Sequence, residues 1–166
     1  AGKVVFCEGN GLKKNPFFSK LPLNGTKGEL ITIHAPELKI DYIIKSSIFI
    51  MPLGDDLYKI GATFNWSDKT NAPTEDGRSE LESKLKSVLT CDYTVVDHEA
   101  GVRPTTGDRR PLLGTHKDNA RLAVFNGLGT RGVMIAPLMA EKLYRFIEAG
   151  IALDPEISIS RFKQKN

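Results

Sequence analysis

Between residues 28 and 63 the chain runs through four short segments rich in β-branched and aromatic residues: 28–33, 40–44, 47–51 and 57–63. They are separated by Pro36, by Lys45 and Ser46, and by the turn sequence Pro52-Leu53-Gly54-Asp55-Asp56. Apolar runs this short, broken this often, leave no room for helices and predict an antiparallel meander. The last pair is the best-defined hairpin, because Gly54, Asp55 and Asp56 are residues that accept the backbone angles of a tight turn. Downstream, Leu81, Leu85, Val88 and Leu89 recur at helical spacing with charges between them, which predicts an amphipathic helix over 78–89 covering one face of the sheet. Residues 93–98 read as a further strand, 101–114 as a polar loop punctuated by Pro104 and Pro111, 121–126 as a strand, and 132–148 as a helix stopped by Gly150. The fold class expected is α+β, with a mixed, mainly antiparallel sheet and a covering helix.

The chain opens on an apolar run, Val4, Val5 and Phe6, that ends at Glu8-Gly9-Asn10-Gly11, as a buried strand entering a glycine turn would. A core strand with no tail before it predicts that this sequence is a piece of a longer protein. At 166 residues, 40% hydrophobic and 26% charged, it has enough apolar material for a core. No stretch approaches the ~20 apolar residues of a membrane helix. The formal net charge of +3 arises from 23 basic and 20 acidic residues spread along the chain, which argues against a nucleic-acid partner. Arg161, Lys163 and Lys165 read as a solvated basic tail. Cys7 and Cys91, far apart, read as reduced thiols in a cytoplasmic protein. With His34, His98 and His116 they form no ligand spacing, so no metal is expected, and no G-x-S-x-G elbow supports a covalent hydrolase.

Two segments carry chemistry. Gly127-Leu128-Gly129-Thr130-Arg131-Gly132 is a G-x-G-x-x-G between a strand and a helix. A dinucleotide-binding unit needs further strands after that helix, and only the residues after Gly150 remain, so the fingerprint reading fails. The physical content survives: glycines admit a ligand close to the backbone, and a helix start offers unpaired N–H groups with about half a positive charge. A turn required only for packing is the other reading. The second segment, Gly101-Val102-Arg103-Pro104-Thr105-Thr106-Gly107-Asp108-Arg109-Arg110-Pro111, sets three arginines in a loop stiffened by prolines. Arg103 beside Pro104 is a candidate bidentate grip on a carboxylate, with a structural ion pair as the even alternative. For Arg109 and Arg110 a salt bridge with Asp108 is expected.

In order along the chain, these motifs resemble the FAD-dependent oxidases of the D-amino-acid oxidase and glycine oxidase family. Gly101-Val102-Arg103-Pro104 continuing through Asp108, Pro111 and Gly114 is similar to that family's G-x-R-P-x-x-x-D-x-x-P-x-x-G loop. Residues 122–127 followed by Gly129, Gly132, Val133 and Ala136-Pro137 are similar to its strand, glycine turn and helix, and Val4 to Gly9 to the strand that returns to the FAD. Lys27-Gly28-Glu29 and Lys59-Ile60-Gly61-Ala62-Thr63 resemble its substrate-domain sheet.

The resemblance implies three regions: 1–24 as the end of the FAD-binding domain, 25–100 as the substrate domain, and 101–166 as the active-site loop with the flavin-contacting strand, turn and helix. The first strand and last helix then belong to an FAD-binding domain whose dinucleotide-binding N-terminus is not in this chain, and this piece alone is expected to bind FAD poorly or not at all. It further implies a non-covalent FAD held by Gly9, Gly127, Gly129, Thr130, Arg131, Gly132 and Val133, and a small amine or amino acid whose carboxylate Arg103 binds while hydride passes to the flavin. Phe49 stands where relatives often place a second carboxylate contact, a tyrosine. No residue is implied as an acid or base. The missing N-terminal domain is the implied partner. Without it the apolar side of the last helix, Ile135, Leu138, Leu143 and Phe146, is expected to stand unpartnered and to favour self-association. The alternatives are a flavin-dependent tRNA-modifying oxidoreductase and a non-catalytic binding module.

Overall fold

The computed structural model describes residues 2–162 and is α+β, built from eight strands and two helices with three short 3-10 turns. Contacts divide it into two compact units, one formed by residues 26–102, the other by the chain up to residue 25 and from residue 103 on.

In the unit 26–102, strands β2 (Thr26–His34), β3 (Ile44–Lys45), β4 (Phe49–Gly54), β5 (Leu57–Gly61) and β6 (Thr94–Arg103), whose last residue belongs to the other unit, form a sheet ordered β3-β4-β5-β2-β6. The β4–β5 turn is as read from the sequence: Asp55 and Asp56 take positive φ of 51° and 58°, the pair a type I′ hairpin requires, and the register shifts by a bulge between Pro52 and Gly54. Helix α1 (Glu75–Lys86) lays Leu81 and Leu85 on Ile31, Ile33, Ile48, Ile50, Tyr58 and Ile60, all buried. Each leucine so buried contributes roughly 1.5–3 kcal/mol. The helix begins three residues before the expected Arg78, because Thr74 caps it: its Oγ1 accepts from the Gly77 amide at 3.1 Å.

Two expectations fail here. The strand over 40–44 shrinks to Ile44 and Lys45, the two residues that pair with Ile50 and Phe49 of β4, and Tyr42 and Ile43 stand exposed. The strand over 93–98 instead runs on to Arg103, and the polar loop contracts to 104–111 before the next strand. Sheet pairing with β2 extends residues whose composition alone looked like loop.

The other unit is a three-stranded sheet ordered β1-β8-β7, with β1 (Val4–Phe6) parallel to β8 (Asn119–Asn126) and β7 (Leu112–His116) antiparallel to it. Period-2 alternation puts Leu112 and Val124 in a cluster with Leu12, Phe18, Leu21 and Leu23. Leu113 packs on Met139 and Leu143 of helix α2 (Gly132–Ala149) and on Ile157. The helix stops at Gly150, whose φ of +67° is the left-handed cap read from the sequence. The apolar side of α2 is not bare as expected: Leu143 is buried, and Ile135 and Phe146 pack on the same cluster, because β7 and the segment around Ile157 cover it within this unit. Leu138 alone of the four named residues stays exposed, beside Val133, Met134 and Tyr144. Among the described residues no helix is long and apolar enough to cross a membrane.

Candidate functional site

The glycine turn sits between β8 and α2 with Gly127 at φ +71° and Gly129 at φ +58°. Two remote segments meet at it. The buried Asn126 side chain accepts from the Gly127 amide at 2.8 Å and donates to the Gly9 carbonyl at 2.9 Å, tying the turn to the 3-10 turn that follows β1. The Gly129 amide donates to the Pro104 carbonyl at 3.0 Å, and an Arg131 guanidinium N–H donates to the Arg109 carbonyl at 3.1 Å, tying it to the 104–111 loop. Gly9, the turn and that loop, all singled out in the sequence, are therefore brought together. Asn126 was not singled out, since an asparagine at a strand end carries no local signal of burial.

Beyond the turn, Gly129–Arg131 form one 3-10 turn leading into α2, which has no acidic residue in its first turn and no side-chain cap. Its unpaired N–H groups and dipole give a positive, uncapped terminus. A Cβ at Gly132 would touch only Leu128, no closer than 3.5 Å, Thr130 is exposed, and Val133 is 99% exposed. A helix start of this kind attracts an electron-rich group.

Arg103 ends β6, and its half-buried guanidinium is pulled below its ordinary pKa by desolvation, though it stays charged at neutral pH. The loop after it is fixed by a pair the sequence did not foresee. Asp108 takes Arg161 at 2.8 Å, not Arg109 or Arg110, while Arg110 reaches Glu156 at 3.0 Å. Burial raises the Asp108 carboxyl, but the bond from Arg161 and the Arg110 amide outweigh it and hold its pKa below the ordinary value. Arg161 is thus a structural residue and not tail. Lys163 and Lys165 lie outside the described residues.

In the unit 26–102, Phe49 is half-buried on β4, directly across from Gly61. The Lys27-Gly28-Glu29 motif lies inside that unit. Lys27 has a side chain only 1% exposed, and its Nζ meets Asp68 Oδ2 and the Ala72 carbonyl, each at 2.5 Å, with Glu29 Oε1 at 3.3 Å. Burial pushes the Glu29 carboxyl up, yet the amide and hydroxyl of Thr74, each at 2.8 Å, and Lys27 bring it below its usual value. Asp68 is lowered to about 2, chiefly by its bond from Lys27. His98 Nε2 lies 2.9 Å from Glu29 Oε2 without the alignment of a hydrogen bond. Among the described residues no cluster suited to a metal ion forms.

Residues 1–145 match the family model described as FAD dependent oxidoreductase. The chain belongs to the FAD-dependent oxidoreductase family. It is 29% identical over 159 residues to the tRNA 5-methylaminomethyl-2-thiouridine biosynthesis bifunctional protein MnmC of Marinobacter nauticus, covering 86% of this chain and 25% of that protein. It is 26% identical over 135 residues to glycine oxidase of Bacillus subtilis, covering 77% of this chain and 37% of the relative. The fold matches glycine oxidase from Geobacillus kaustophilus with a TM-score of 0.82 at 24% identity, over 98% of this chain and 46% of that one. Iminodiacetate oxidase from Chelativorans sp. BNC1 matches with a TM-score of 0.78 at 21% identity, over 95% of this chain and 46% of the other. The chain thus spans between a quarter and a half of the length of these relatives. Family members bind FAD.

Proposed function

We propose that this chain acts as the C-terminal part of a longer flavoprotein that oxidises an amine or amino acid at its C–N bond. The observation that supports the reading is the meeting of Gly9 and the 104–111 loop at the 127–132 turn, which leads into an uncapped helix start, in a chain of this family. Gly9, Gly127, Gly129, Thr130, Arg131, Gly132 and Val133 would hold the flavin. When bound, the flavin supplies the two-electron acceptor for the substrate C–H bond that breaks beside the nitrogen, leaving an imine and releasing the N–H proton. The positive end of α2 favours the negative charge that reduction places on the ring.

The task of this chain's own side chains is positioning. Arg103 is the substrate-carboxylate grip: a guanidinium already partly desolvated at a strand end binds a carboxylate more strongly than one in open water. Phe49, with no hydroxyl, contributes an apolar wall in place of a second polar contact. The N-terminal part, which would hold the adenine and pyrophosphate, is the partner this arrangement requires, and the chain alone binds FAD weakly.

The test is the visible spectrum of the parent protein, extended at its N-terminus, before and after anaerobic addition of amino acids. A flavin spectrum that bleaches with an amine, and an Arg103→Ala variant that keeps the flavin but needs about a hundredfold more substrate, is the expected result. A colourless parent that cannot be reconstituted with FAD refutes the reading and leaves a binding module. The likeness to a tRNA-biosynthesis protein over 86% of the chain favours a second reading, in which the amine is carried on a tRNA nucleoside. Bleaching by modified tRNA and not by free amino acids would select it.

A further inference from the structure

In the sheet of the unit 26–102, the residues facing α1 alternate with a second set that faces away: Leu30, Thr32, Phe49, Met51, Lys59 and Gly61. Lys59 reaches Glu99 of β6 at 2.9 Å, which places Glu99 on that same side. In the middle of this face Gly61 pairs with Leu30 on one flank and Phe49 on the other. A Cβ there would overlap Leu30 Cδ2 and lie 2.8 Å and 2.9 Å from Cε1 and Cζ of Phe49. Both neighbours therefore lean over the bare Cα, and the Phe49 ring covers the strand at the point where β5 has no side chain. An aromatic lying across a cross-strand glycine shields backbone that would otherwise be open, and it keeps the ring low on the sheet.

We propose that Gly61 is a specificity-determining position: by letting the Phe49 ring lie across β5, it sets the room left above that face for the side chain of the substrate. The proposal rests on the reading of Phe49 as a wall of the substrate site. Gly61 touches no substrate itself and is a positioning residue. An alanine would lift the ring and push Leu30 aside, closing space that a bulky substrate needs and a small one does not.

The experiment uses the full parent flavoenzyme with the smallest amino acid it oxidises and with one of larger side chain. Gly61→Ala is expected to raise KM for the bulky substrate about tenfold more than for the small one, equivalent to about 1.4 kcal/mol of discrimination, with kcat changed far less. Phe49→Leu combined with Gly61→Ala is expected to recover part of the ratio, because the shorter side chain removes the overlap with the ring while the overlap with Leu30 remains. Phe49→Leu alone, which needs no accommodation at Gly61 and guards against a variant that fails to fold, is expected to shift the ratio the opposite way. A KM increase equal for both substrates, no recovery in the double variant, or no shift with Phe49→Leu overturns the proposal. If the parent shows no amine-dependent bleaching at all, the oxidase reading falls and the specificity claim with it. The contact is judged separately by a thermal-unfolding cycle of the two single variants and the double, where additive effects refute the Phe49–Gly61 coupling.

Discussion

Replacing the three glycines of the 127–132 turn one at a time by alanine should give three different stabilities, in an order set by the geometry. Gly127 has a φ of +71°, where an alanine costs roughly 1–2 kcal/mol. A Cβ there would also sit 2.9 Å from Leu112 Cγ, 3.1 Å from the Leu112 amide nitrogen and 3.1 Å from Thr106 Cγ2. The backbone nitrogen cannot rotate away, so an overpacking cost of about 1–3 kcal/mol adds to the first. Gly127→Ala is therefore expected to lose about 2–5 kcal/mol. Gly129, at φ +58°, carries the same backbone cost, but its nearest neighbour is Thr105 Cγ2 at 3.3 Å, which can yield, so the loss is about 1–2 kcal/mol. Gly132 is right-handed at φ −50° with only Leu128 in ordinary contact, and alanine there gains roughly 0.5–1 kcal/mol of helix propensity. Thermal and urea denaturation followed by far-ultraviolet circular dichroism would read the series. At this chain length each kcal/mol moves Tm by about 2–4 °C, so Gly127→Ala should melt on the order of 10 °C early. A Gly127→Ala protein within 1 °C of the parent, or a Gly132→Ala protein that loses as much as Gly127→Ala, would refute the reasoning.

Acid should weaken the unit 26–102 specifically. Asp68 is depressed to about 2 from an ordinary 3.8, and Glu29 also lies below its ordinary value, so both contribute stability above those ordinary values that fades as pH falls toward about 2. Melting temperature against pH from 6 to 2 should show the decline, and Lys27→Met, which removes the cation both carboxylates share, should flatten it. An unchanged pH profile in that variant would contradict the assignment. Thr74→Ala removes the helix cap and a hydroxyl bond to Glu29, and should cost about 1–2 kcal/mol in urea unfolding. A loss below about 0.5 kcal/mol, the ordinary spread of surface substitutions, would show that neither bond matters.

Features governed by local sterics were legible from residue order: the hairpin at Asp55 and Asp56, the apolar stripe of Leu81 and Leu85, the glycine turn and the Gly150 cap. The motifs around Arg103 and Gly127 were legible as a family pattern for the same reason, since a tight turn admits few residue types. Boundaries were less so. Extension of β6 to Arg103 depends on its neighbour β2, and the short reach of β3 on where it pairs with β4.

What residue order could not settle was which remote groups meet. Val4 and Val5 read as a buried strand, yet the folded chain leaves both exposed while aligning them in parallel with Leu122 and Ala123. Arg161 looks like tail until Asp108 takes it, and Lys27 looks like surface until Asp68, Glu29 and the Ala72 carbonyl close around it. Gly61 looks like any strand glycine until Leu30 and Phe49 are found leaning over it. The physical reason is one of range. Backbone angles and side-chain periodicity act over a few residues and are written in consecutive letters, whereas desolvation and ion pairing depend on which surfaces the tertiary fold presses together.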